Sequence, residues 1–175
     1  MNNYKSKTKT TGLFFGSFNP IHNGHLIIAS YMLNFTEINE IWFVVSPQNP
    51  FKKKESLLPN HMRLELVEQA IKGRDNIYAC DIEFRLPTPS YTINTLTYLK
   101  EKYPKRKFSL IMGADNLNSF TKWKNFEMIL QHYSLHVYPR PGVDPGELAD
   151  HPAVVMTSAP VIEISSSFIR SAIKD

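Results

Sequence analysis

Gly16-Ser17-Phe18-Asn19-Pro20-Ile21-His22-Asn23-Gly24-His25 follows the apolar run Leu13-Phe14-Phe15 and leads into Leu26-Ile27-Ile28-Ala29. The first apolar run reads as a buried strand, Gly16 ends it, Pro20 stiffens the turn, and the second run opens a helix face. Gly24 lacks a Cβ, so a ligand can approach the backbone there, while the first helical N–H groups and the helix dipole favour an anion. His22 and His25, at i and i+3, lie on one side of the turn. The stretch therefore reads as a phosphate site between a strand and a helix.

Outward from it, apolar runs that read as strands recur at Ile41 to Val45, Ile77 to Ile82, Phe108 to Met112, Leu135 to Tyr138 and Val154 to Thr157. Helical spacing fills most of the gaps: Leu26 to Phe35, His61 to Ile71, Tyr91 to Tyr103 and the shorter Asn125 to His132. Such alternation predicts an α/β fold, a Rossmann-like doubly wound, mostly parallel sheet with helices on both faces. In such sheets ligands sit beyond the carboxyl ends of the strands.

The chain has 175 residues, 42% of them hydrophobic, enough for one substantial core, so a single domain over residues 1–175 is expected, with 1–10 flexible. One cysteine excludes an internal disulfide, and no apolar run approaches membrane-spanning length. Leu13 to Gly16 is too short for a signal-peptide core, which leads to a cytoplasmic expectation and no membrane partner. The net charge of +4 suits an anionic partner. The densest basic stretches, Lys52-Lys53-Lys54 and Lys100 to Lys107, lack the interleaved aromatics of a base-stacking platform, so small phosphorylated substrates are expected rather than nucleic acid. A zinc site would need three or four ligands, and Cys80 stands alone beside the two histidines; no metal site built from protein side chains is expected.

A second segment, Ile164-Ser165-Ser166-Ser167-Phe168-Ile169-Arg170, carries a serine suited to capping a helix and thus to an anion at its N-terminus. Arg170 follows Ser166 by four residues, on the same face, and can extend a guanidinium fork toward a phosphate. Together, His22-Asn23-Gly24-His25 and this segment resemble the paired motifs of the H-x-G-H nucleotidyltransferases, which transfer a nucleotide and release pyrophosphate. The resemblance implies that His22, His25 and Arg170 form the catalytic clamp on the ATP phosphates. It implies an ATP site made of Gly16, Ser17, Phe18, Gly24, Gly113, Asp115, Ser165, Ser166 and Ser167, with the region 164–175 as a phosphate-binding turn and helix. Neither motif contains a carboxylate placed as a base, and a substrate phosphate needs little help to ionise, its second pKa being about 6. Positioning and charge stabilisation should dominate. Mg²⁺ is expected to bridge phosphate oxygens while keeping several waters.

Between the motifs lie three further features. Gly113-Ala114-Asp115 ends a strand in a glycine turn with an acid suited to ribose hydroxyls or a metal-bound water; a helix cap by Asp115 is the alternative. Ser90-Tyr91-Thr92 starts a helix whose N–H groups suit a carboxylate, although capping alone would also explain Ser90. Trp123 can stack on an aromatic ring or serve the core. In this order the three are similar to features of the nicotinate-nucleotide adenylyltransferase family, which implies ATP and nicotinate mononucleotide as partners, with Lys52, Tyr91, Thr92 and Trp123 at the acceptor. Lys52 reads equally as part of a solvated lysine run. Phosphopantetheine adenylyltransferases share the phosphate motifs but typically have threonine at the position of His22; a non-catalytic nucleotide-binding module is the further alternative. Self-association is left open.

The chain departs from the family pattern at Asn19, where relatives often have aspartate, at Leu86-Pro87-Thr88-Pro89, where they often have an arginine-glycine pair, and at Lys124, where an aromatic residue is frequent. It also stops five residues after Arg170, where relatives usually continue through another helix.

Overall fold

Strands β1 (Thr10–Gly16), β2 (Glu40–Val45), β3 (Ile77–Cys80), β4 (Lys107–Gly113), β5 (Ser134–Tyr138) and β6 (Val154–Met156) lie side by side in the order β3-β2-β1-β4-β5-β6. Every neighbouring pair is parallel. The structure is a computed structural model and describes residues 9–47 and 57–174. Lys52 falls outside these residues, as do residues 1–8. Thr10 is buried and opens β1, so the expected flexible segment does not extend to residue 10.

The strands carry apolar residues on both faces because helices cover both. Phe14 stands between Phe43 and Ile111 in register, and with Ile41 and Val45 it packs against α1 (Asn23–Phe35) and α2 (Asn60–Ile71). Leu13, one residue earlier, points the other way. It joins Val44, Leu110, Met112 and Val137 beneath α3 (Thr92–Lys102), α4 (Ala114–Asn118) and α5 (Phe126–His132). A last helix, α6 (Ser166–Lys174), returns to the carboxyl end of β1. At the opposite end of the sheet, buried Glu40 accepts from Thr11 Oγ1 at 2.9 Å and pairs with Arg106, whose guanidinium covers the Trp42 ring.

The chain runs outward from β1 to β3, then crosses back to β4 on the other side of β1. The loops leaving β1 and β4 therefore part in opposite directions and open a crevice at their carboxyl ends. Two elements differ from the sequence expectation in ways that affect this crevice. α1 begins at Asn23, a turn before its apolar stripe, so both histidines belong to its N-terminus. β3 stops at Cys80, opposite Val44 and one residue short of the end of β2; Ile82–Arg85, expected to begin in the strand, form a 3₁₀ turn instead.

Candidate active site

The loop after β1 is held from beneath. Phe18 takes a positive φ of 43° and buries its ring against Phe14, Phe43 and His25. A Cβ on Gly16 would lie 2.8 Å from that ring, so glycine is required there by packing. The Arg63 guanidinium, fully buried, donates to the carbonyls of Ser17 (2.5 Å), Ser46 (2.9 Å) and Leu58 (3.0 Å) and to Asn60 Oδ1 (2.7 Å). Asn19 is buried as well, and its Oδ1 accepts from the Leu58 N–H at 3.1 Å.

On this base His22 caps α1 and His25 occupies its third position. The His22 N–H donates to His25 Nδ1 at 3.2 Å, and the His25 N–H donates to the His22 carbonyl at 2.9 Å. An accepting Nδ1 puts the ring proton of His25 on Nε2, which makes that atom a donor. The two imidazoles lie 3.8 Å apart, centre to centre. Burial, and then the positive charge of Arg140, hold His22 below the usual imidazole range, so it is neutral near pH 7. Its Nδ1 is buried without a hydrogen-bond partner among the described residues. The missing Cβ of Gly24 was expected to admit a ligand; it admits instead the His22 ring and Ile162, which a Cβ would meet at 2.9 and 2.7 Å.

The C-terminal segment docks on the same loop. Ser166 Oγ donates to the Pro20 carbonyl (2.9 Å), and Arg170 donates to the Asn19 carbonyl (2.6 Å) and to Ser167 Oγ (3.3 Å). Ser165 Oγ accepts from the Phe168 N–H at 3.1 Å and so caps α6. Residues about 150 positions apart thus share one wall of a cavity of about 640 Å³ lined by His22, His25, Ser165, Ser166, Ser167 and Arg170. Gly16, Ser17, Phe18 and Gly24 line it too, with the Phe18 side chain acting as the buried support described above. A volume of this order suits one or two nucleotide-sized ligands.

Asp115, Tyr91, Thr92 and Trp123 also line the cavity. Gly113, not Asp115, is the N-cap of α4; Asp115 sits in its first turn with its Oδ1 3.5 Å from Arg140 Nε. Gly113 itself does not line the cavity, but a Cβ there would collide with Asp115 Oδ1, so its role is to leave room for that carboxylate. Ser90 caps nothing: the N-cap of α3 is Tyr91, and the Ser90 hydroxyl is buried near Glu83. Trp123 packs on Phe120 with ring centres 5.0 Å apart, as the core reading expected, and also lines the cavity.

Five residues of the site had not been singled out for it. Arg63 lies on the buried stripe Arg63, Val67, Ile71 of α2, where a charged residue at a core position was the available signal. Glu83 is buried at the Ser90 end, and burial raises its carboxyl pKa against the opposing hydroxyls of Thr95, Ser46 and Ser90. Reading Ile77 to Ile82 as one strand hid it. Tyr138, which ends β5 and is pushed up to about 12 chiefly by burial, and Arg140, two residues on, line the crevice. Lys124 lines the cavity beside Tyr91.

The cytidylyltransferase-like family model matches residues 13–172. A probable nicotinate-nucleotide adenylyltransferase of Cytophaga hutchinsonii is 55% identical over 163 residues, covering 93% of this chain and 85% of that protein. Its counterpart from Christiangramia forsetii is 53% identical over 171 residues, covering 95% and 87%. Among solved structures, the Plasmodium falciparum nicotinic acid mononucleotide adenylyltransferase complexed with NaAD shares the fold with a TM-score of 0.80 at 24% identity, over 93% of this chain and 83% of that one. With matches that run from β1 into α6 and relatives above half identity, the chain belongs to the cytidylyltransferase-like family, among its nicotinate-nucleotide adenylyltransferases.

Proposed function

We infer that the chain carries out the reaction for which its relatives are named: transfer of the adenylyl group of ATP to nicotinate mononucleotide, giving deamido-NAD and pyrophosphate for NAD synthesis. The observation that carries this reading is the docking of Ser166 and Arg170 on the carbonyls of Pro20 and Asn19, which joins both phosphate motifs at one cavity.

An acceptor phosphate oxygen attacks the α-phosphorus, a new P–O bond forms, and the bond from that phosphorus to the bridging oxygen of pyrophosphate breaks. The nucleophile arrives ionised, so the protein's work is alignment and stabilisation of charge on the departing group. His25 donates through Nε2, and Arg170 and the hydroxyls of Ser165 to Ser167 hold the β and γ phosphates. Gly16, Ser17 and Gly24 shape the backbone beneath them, and Asp115, given its place by Gly113, accepts from ribose hydroxyls. Arg140 lies between Asp115 and His22 and adds a second guanidinium to the clamp.

Among the described residues no three His, Cys, Asp or Glu side chains gather as a metal cage. The half-exposed Asp115 carboxylate, unlike buried Glu83, is open to solvent as a hard oxygen donor, which fits a Mg²⁺ ion carried by the triphosphate, with Asp115 accepting from a water on it. Such an ion would neutralise phosphate charge. At the acceptor end, the N-terminus of α3 behind Tyr91 and Thr92 suits the pyridine carboxylate, and Trp123 suits the ring. No helix among the described residues is long and apolar enough to cross a membrane. We take the setting to be cytoplasmic.

Pyrophosphate release is the test, with ATP, Mg²⁺ and nicotinate mononucleotide, nicotinamide mononucleotide or phosphopantetheine supplied in turn. Turnover should be fastest with the first. Preference for phosphopantetheine, or ATP binding without turnover on any acceptor, would overturn the reading. His25→Asn keeps an acceptor for the His22 N–H but removes the Nε2 donor, and should cut kcat about 100-fold, as loss of one preorganised donor does, with little change in Tm. Equal turnover in variant and parent would remove His25 from the clamp.

A further inference from the structure

We propose that Lys124 is a specificity-determining residue, whose ammonium recognises the pyridine carboxylate and so selects the acid acceptor over the amide. The proposal rests on the acceptor reading above.

The Lys124 ammonium lies over the ring of Tyr91, 4.7 Å from its centre, and both residues line the cavity. Tyr91 is the N-cap of α3, and the first helical bonds back to its carbonyl come from the N–H groups of Asn94 and Thr95. The N–H groups of Thr92 and Ile93 therefore precede the helical ladder and depend on a partner from outside it. Lys124 thus places a full positive charge over the side chain of the residue that opens this helix.

The backbone position of Lys124 is built into the chain. The 3₁₀ turn Phe120–Lys122 closes with the Trp123 N–H donating to the Phe120 carbonyl at 2.9 Å. Two residues later Asn125 adopts a left-handed conformation, φ 54°, and caps α5. Asparagine tolerates this conformation better than most residues. Lys124 is held between these two points, and among the described residues it forms no salt bridge. The ring face attracts the ammonium without neutralising it, so the charge remains available to an anion.

The helix N-terminus discriminates weakly by itself, because a carboxamide can turn its carbonyl oxygen toward the N–H donors. An ammonium adds what those donors lack. It attracts the net charge of a carboxylate, and it opposes the amide NH₂ donor against donor. The acceptor phosphate is the other anion within the same substrate, but acid and amide acceptors share it. Contact with the phosphate would therefore weaken both alike.

The experiment measures kcat and KM for nicotinate and nicotinamide mononucleotides at saturating ATP. Lys124→Met keeps the aliphatic stem over Tyr91 and removes the charge; Lys124→Arg keeps the charge. Lys124→Met should lower kcat/KM for the acid about tenfold, the worth of one charge-assisted contact near solvent, mainly through KM. The amide value should hold or rise, the KM for ATP should not move, and Lys124→Arg should retain most of the acid preference. Equal loss on both acceptors, or an unchanged acid-to-amide ratio, would overturn the proposal while leaving the reaction in place. A parent protein that turns over neither mononucleotide would overturn both.

Discussion

Replacing Arg63 by methionine tests whether the phosphate loop is held from beneath by one buried cation. The guanidinium makes four hydrogen bonds, three to the main-chain carbonyls of Ser17, Ser46 and Leu58 and one to Asn60. At about 1.5 kcal/mol for each bond from a charged donor, their gross worth is about 6 kcal/mol. Against this stands the cost of desolvating the guanidinium, of several kcal/mol before relaxation, which methionine avoids. The carbonyls of Ser17 and Ser46 border the cavity side, where water can reach part of what is lost, and a net destabilisation of about 3 kcal/mol follows. For a chain of this size each kcal/mol shifts Tm by about 2–4 °C, so Tm should fall by about 6–12 °C. Because this guanidinium joins the carbonyls of Ser17 and Ser46, alongside the bond from the Ser46 N–H to the Gly16 carbonyl, the KM for ATP should rise about tenfold, since small displacements in a positioned site are costly. Arg63→Lys, which keeps the charge but offers one compact donor in place of a planar fork, should fall between. Thermal unfolding followed by circular dichroism, with steady-state kinetics on the same preparations, reads both effects. A methionine variant whose Tm lies within about 2 °C of the parent, below the shift expected from 1 kcal/mol, and whose KM for ATP is unchanged, would refute the reasoning.

Acid should weaken the fold through His136, which is buried with neither ring nitrogen hydrogen-bonded among the described residues. Burial, then Lys107, hold its pKa below the usual range while Glu37 works against them. The unfolded chain takes up a proton near pH 6.5 that the folded protein refuses, so stability is full above that pH and falls below it, by up to about 1.4 kcal/mol per pH unit. Urea midpoints at pH 7.5 and 5.5 should differ less in His136→Leu than in the parent; some loss remains because His22 is depressed in the same direction. Equal differences would exclude His136. Gly113→Ala displaces the flexible, half-exposed end of Asp115 and presses by a few tenths of an ångström on Arg140 and the Tyr138 ring, and should lower Tm only slightly while raising the KM for ATP; an unchanged KM would separate Asp115 from nucleotide binding.

The parallel sheet and its order of elements were legible because strands buried on both faces read as uninterrupted apolar runs and the helices kept their spacing. Both motifs at the cavity were legible because glycine, proline and histidine cluster in the first and serine in the second. Boundaries were less so where chemistry outweighs apolar pattern: α1 begins at Asn23 because the two histidines cap its first turn mutually, and no periodicity reports that. Glycine roles were misassigned for a similar reason. Gly24 and Gly113 make room for protein side chains, His22 and Asp115, that only the folded chain brings there. Arg63, Glu83, Tyr138 and Arg140 were missed because each is single in its segment, and its significance comes from neighbours distant in sequence.

The cations of the site share a mode of attachment that gives the overall charge a location. Arg170 is held by a carbonyl and a hydroxyl, Arg63 by three carbonyls and an amide oxygen, and Lys124 by an aromatic face; among the described residues Arg140 is the one of these four with a carboxylate beside it. Neutral partners satisfy donors without cancelling charge, so the cavity keeps a positive potential until an anion enters. The basic stretch Lys100 to Lys107 behaves differently. There Lys107 pairs with Glu37 and Arg106 with Glu40, at the end of the sheet where β4 begins. Two cations of that stretch are thus locally compensated by carboxylates, while cations far apart in sequence gather around the cavity. The net charge of +4 therefore favours a small anion held at the switch point over a polyanion spread along the lysine-rich surface.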